Sequence, residues 1–89
     1  MMDTGNRIKL LRKTYSISQT NFAKELETAR TTLASWECGK NTLPPLVAIQ
    51  IAITYKVGLD WIYLGEMDGD GDVLEKIMKY KLKTENKDI

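Results

Sequence analysis

The sequence predicts an all-α fold of five helices in one domain, with a sixth helix beyond a short linker, and three observations carry that prediction. Apolar residues recur at a period near 3.6 through most of the chain. Residues suited to helix N-caps, Thr4 and Ser18, precede the first two of these stretches. Glycine and proline fall at the ends of others: Gly39 and Gly65 close two helices, and Pro44 with Pro45 opens a third.

The first helix covers 4–15, with Ile8 and Leu11 apolar, Leu10 and Tyr15 on the flank, Thr4 as its cap, and Arg7, Lys9, Arg12 and Lys13 basic. A turn at Ser16 and Ile17 follows, and Ile17 is placed to pack on Phe22 as a hydrophobic staple. Ser18 caps the second helix, whose Phe22, Ala23 and Leu26 form one stripe. In the third helix Leu33 and Trp36 form the buried stripe and Gly39 supplies the left-handed residue that ends it. The fourth runs from the two prolines to Tyr55 and is apolar nearly all round, which predicts a place at the centre of the core. After a break at 56–58, residues 59–64 form the fifth, with Asp60 in its first turn. The predicted organisation is thus a domain at 1–66, a Gly/Asp linker at 67–72, and an amphipathic helix with a frayed tail at 73–89.

With 89 residues and a 43% hydrophobic fraction, the chain is expected to fold without covalent staples. One cysteine and no histidine exclude an intramolecular disulfide and any Cys/His metal cluster, so a reducing cytoplasm is expected. Asp68, Asp70 and Asp72 alternate as in a calcium loop, but Val73 stands at the required glycine and Lys79 at the twelfth position, so a solvated linker is the better reading. A polar N-terminus and short apolar runs predict neither a signal peptide nor a membrane span. Without histidine, a Gly-rich phosphate loop, or carboxylates that helical spacing brings together, no enzyme is expected. The net charge of +1 is unevenly spread: residues 1–65 hold 8 Lys/Arg against 5 Asp/Glu, and 66–89 hold 5 against 7.

Opposite Leu33 and Trp36, the third helix turns out Arg30, Thr31, Ala34 and Ser35: one charge, two hydroxyls and a methyl. Such a face suits the DNA major groove, which presents donors, acceptors and thymine methyls to an inserted helix. It also suits a solvated side of a small bundle, and these residues alone leave both readings open.

Five segments in order, RIKLLRK, SQTNFAKEL, RTTLASWECGK, the proline-opened helix and LDWIYLG, resemble the Cro- and phage-repressor-type helix-turn-helix domains over about residues 5 to 65. The resemblance implies a five-helix phage-repressor-like fold whose third helix lies in the major groove while the second crosses the backbone. Position by position it implies base contacts from Arg30, Thr31, Ser35 and Gln19, phosphate contacts from Ser18, Lys40, Asn41 and the amides near Leu46, and an ion pair between Arg12 and Glu37 that joins two helices. Two departures stand out. Glu27, Thr28 and Ala29 replace the usual glycine, aliphatic and hydroxyl cap of the turn, which predicts a left-handed Glu27 and a cap at Thr28. Cys38 replaces a polar residue that faces phosphate, and it is left out of the site.

The function implied is a transcriptional regulator, a repressor, that reads a palindromic operator in double-stranded DNA without a cofactor or metal. An antitoxin-like or phage accessory regulator, whose C-terminal helix binds a partner protein, is the alternative. The stripe Val73, Leu74, Ile77 and Met78 belongs to a helix of about twelve residues, too short to stand alone in water. Its targets are the chain's own fifth helix or a second subunit. One recognition helix offers few contacts, so a homodimer on half-sites about 34 Å apart is expected.

Overall fold

The computed structural model describes residues 3–65, which form five helices and no strand: α1 (Thr4–Thr14), α2 (Gln19–Glu25), α3 (Arg30–Glu37), α4 (Pro45–Tyr55) and α5 (Leu59–Leu64). The linker, the sixth helix and the tail lie outside the described residues. Helix α3 packs on both α1 and α2, while α5 packs on α1 and α4. Ile8, Leu11, Phe22, Leu33, Ile51 and Ile62 are wholly buried at the centre, one or two from each helix. Burying each such side chain is worth about 1.5–3 kcal/mol, which offsets the cost of ordering these short helices.

Local chemistry fixes where the helices begin. Asp3, and not Thr4, caps α1: its Oδ1 accepts from the Asn6 N–H at 2.8 Å, and Thr4 is already the first helical residue. Both types suit a cap, and the carboxylate one residue earlier takes the position. Ser18 caps α2 by accepting from the Asn21 N–H at 3.1 Å. Pro44 stands at the N-cap of α4 with Pro45 in its first turn.

Three helices end on left-handed residues other than glycine: Ser16 after α1, Glu27 after α2 and Lys56 after α4, with φ of 57°, 55° and 56°. Each lets the next N–H reach back across the last turn, Ile17 to Arg12 O, Thr28 to Ala23 O and Val57 to Ala52 O. The Thr28 N–H thus closes α2, and α3 begins at Arg30, two residues later. The N-cap of α3 falls to Ala29, which gives no side-chain hydrogen bond, so the predicted Thr28 cap is corrected.

The central place predicted for α4 also needs correction. Ala48 and Ile51 are buried on one face, but Leu46 and Ile53 on the other are 81% and 74% exposed. Five short helices supply too little surface to wrap a helix on all sides. The buried edge of α4 is tied to α2 through Tyr55, whose ring lies 5.9 Å from that of Phe22 and whose hydroxyl donates to Glu25 Oε1 at 2.6 Å. Burial, and then the hydrogen bond to Glu25, push the Tyr55 phenol above its ordinary range, so it remains a donor.

Arg7, on the basic side of the predicted first helix, is buried. Its Nε donates to Ile62 O and its Nη2 to Tyr63 O, both at 2.8 Å, which satisfies carbonyls at the end of α5. Two residues earlier in α1, Gly5 lies against the α3 backbone, where a Cβ would come within 2.7 Å of Glu37 O. These two residues set α1 across α3 and α5.

Candidate nucleic-acid interface

Helix α3 presents Arg30 and Thr31 exposed, and Ser35 half-buried beside Ala34, while Leu33, Trp36 and Glu37 anchor it from below. The Ser35 hydroxyl donates to Thr32 O at 2.6 Å, which leaves its oxygen free only to accept.

Under this face runs a chain of four side chains. Arg12 on α1 donates to both carboxylate oxygens of Glu37, Nε to Oε2 at 2.8 Å and Nη2 to Oε1 at 3.0 Å, and its third nitrogen donates to Ile17 O. Glu37 Oε1 also accepts from Gln19 Nε2 at 3.1 Å. Since a carboxylate only accepts, the amide nitrogen of Gln19 must face it and the amide oxygen must turn outward, where Arg30 Nη1 donates to it at 3.2 Å. The buried pair thereby fixes Gln19, and Gln19 restrains the guanidinium at the start of α3.

Asn6 and Lys9 of α1, Gln19 of α2, Thr31 and Ser35 of α3, and Lys40 line a groove of 440 Å³ alongside this face. Lys9 stands in the basic first segment, where its sign was visible but its facing was not; Asn6 carries no signal in the sequence. Exposed Cys38 lines the groove as well, its thiol donating to Ser35 O at 3.6 Å.

The remaining positions flank it. Ser18 is exposed, with its hydroxyl engaged as the α2 cap. Lys40 and Asn41 are exposed after Gly39, which takes the left-handed conformation at φ 82°, and the Asn41 N–H folds back to Ser35 O. At the start of α4 the two prolines have no N–H, and those of Val47 and Ala48 donate to Pro44 O. This leaves the Leu46 amide to face outward along the helix axis.

A family model described as a helix-turn-helix domain matches residues 5–67. The chain belongs to the helix-turn-helix family, of the XRE/Cro type. No curated protein and no solved structure matches it. In this helix-turn-helix domain α2 and α3 are the defining pair, and the turn is the segment in which Glu27 is left-handed. The family carries a coarse function with it, DNA binding in transcriptional regulation. No helix among the described residues is long and apolar enough to cross a membrane.

Proposed function

We propose that this protein is a sequence-specific repressor that binds a palindromic operator as a homodimer, with α3 of each copy in the major groove. The observation that supports it most is the restrained Arg30: a guanidinium held at the N-terminal end of an exposed helix by Gln19 and, behind it, by Glu37 and Arg12. Little orientational freedom remains to be lost when it donates in parallel to guanine O6 and N7.

In this reading Arg30 specifies and Thr31 contacts a thymine methyl or donates to a base. Ser35, with its donor already used, accepts from a neighbouring base. Gln19 orients Arg30 through its amide oxygen, and the second N–H and second lone pair of the amide remain for a base. Ser18, Lys40, Asn41 and the Leu46 amide position the domain on phosphates, where the N-terminus of α4 favours negative charge. Two copies supply the contacts that one short helix lacks, and work on duplex DNA fits a cytoplasmic location.

Selection of bound duplexes from a random library tests the reading, followed by titration of the selected site at several salt concentrations. Two inverted half-sites with guanine in each, and a log K that falls with log salt at a slope near −0.9 per phosphate contacted, are expected. A flat salt response removes the phosphate-neutralising role and favours a module that binds protein through its C-terminal helix.

A further inference from the structure

The outer side of α4 carries no charge, and it holds three of the five large hydrophobic residues that are exposed among the described residues. Leu46, Ile49 and Ile53 are 81%, 41% and 74% exposed. At 100° per residue they fall within about 60° of one another, opposite the buried Ala48 and Ile51. A stripe of three aliphatic side chains on a helix with no Asp, Glu, Lys or Arg from Pro45 to Tyr55 is a surface built for another helix.

We propose that this stripe is the docking site of the chain's own C-terminal segment, which lays Val73, Leu74, Ile77 and Met78 along Leu46, Ile49 and Ile53. Two apolar stripes in one chain each need a cover. They are similar in length: Leu46 to Ile53 spans about 10 Å along its helix, and Val73 to Met78 would span about 8 Å. On that helix Glu75, Lys76 and Lys79 would fall on the other side, Lys81 would follow on the apolar side beyond Met78 and end the stripe, and uncharged α4 offers none of them a partner.

The connection favours the same occupant. Residues 66–72 leave from the end of α5, which packs directly against α4, and seven residues reach up to about 24 Å when extended. A segment tethered so closely is present at an effective concentration in the millimolar range, which a second copy or a separate protein has to exceed. The tail is then satisfied within its own chain. Pairing of two copies on DNA falls to another surface.

Amide hydrogen exchange on the full chain tests this. In the native protein, amides of residues 74–84 are expected to exchange at least about tenfold more slowly than in an unstructured peptide, independently of protein concentration. Ile53→Asp and Ile77→Asp should each abolish that protection while α1 to α3 stay protected. Should the aspartate at position 53 disturb the core, Ile53→Gln repeats the test with a neutral side chain at the same exposed site. Exchange of 74–84 at the unstructured rate overturns the proposal, as does protection that survives these substitutions. Protection that grows with protein concentration also overturns it and assigns the face to a second copy.

Discussion

Arg12 and Glu37 meet beneath the surface as a two-pronged pair, with both side chains at least nine-tenths buried. The pair joins α1 to the last turn of α3, and each charge is out of water only because the other is present. Arg12→Met fills the space but leaves the carboxylate with one donor, Gln19. We expect a loss of about 3 kcal/mol, the low end for an orphaned buried charge because that donor remains. Thermal or urea unfolding measures it, and an unchanged midpoint would place both groups in solvent.

Arg30→Ala is expected to weaken operator binding by about 1–3 kcal/mol and to relax base preference at one position in each half-site. Lys40→Ala should weaken selected and random duplexes alike and make the salt slope shallower by about 1. Gel-shift or fluorescence titrations against both kinds of duplex separate the two. An Arg30→Ala protein that selects the unaltered motif removes α3 from the role of reader.

The helices and their order were legible because apolar spacing, Gly39, Gly65 and the paired prolines all act locally. Where sequence reading went astray, the missing information was long-range. An arginine on a basic helix looks solvated unless the carbonyls of Ile62 and Tyr63, 55 and 56 residues away, are known to face it. The helix at α4 reads as apolar all round whether its second face is buried in the core or left for a later partner. Thr28 was expected to cap α3 because its type suits a cap, yet the turn through left-handed Glu27 starts α3 at Arg30, which puts Ala29 at the cap and Thr28 one residue too early. At the interface, the outward face of α3 followed from spacing alone. The Gln19 contact between Glu37 and Arg30 did not, since it needs α2 and α3 to cross at a particular place.

Glu27 is exposed, and its side chain makes no hydrogen bond or ion pair with the described residues, while its backbone sits at φ 55°. A non-glycine residue there costs about 1–2 kcal/mol, and glycine returns about 0.5–1 kcal/mol of that as greater freedom in the unfolded chain. Glu27→Gly should therefore raise stability by roughly 0.5–1 kcal/mol. Denaturant midpoints at constant m-value give the answer, and a destabilised variant would mean that the Glu27 carboxylate contributes to the turn.

Gly5 packs directly on the backbone at the end of α3, and the smallest possible addition tests whether that approach matters. An alanine Cβ would press on the backbone carbonyls of Trp36 and Glu37, the latter at 2.7 Å, and backbone atoms cannot swing aside as a long side chain can. Alanine is otherwise the better helix former by about 1 kcal/mol, so propensity alone predicts a gain. The steric term should win, because α1 must back away from α3 and stretch the Arg12 to Glu37 pair that bridges the same two helices. We expect Gly5→Ala to destabilise by about 1–3 kcal/mol and to weaken DNA binding through a displaced Glu37 and Gln19. Unfolding curves and a titration of the selected operator check both parts; a variant more stable than the native chain would show that α1 has room to move.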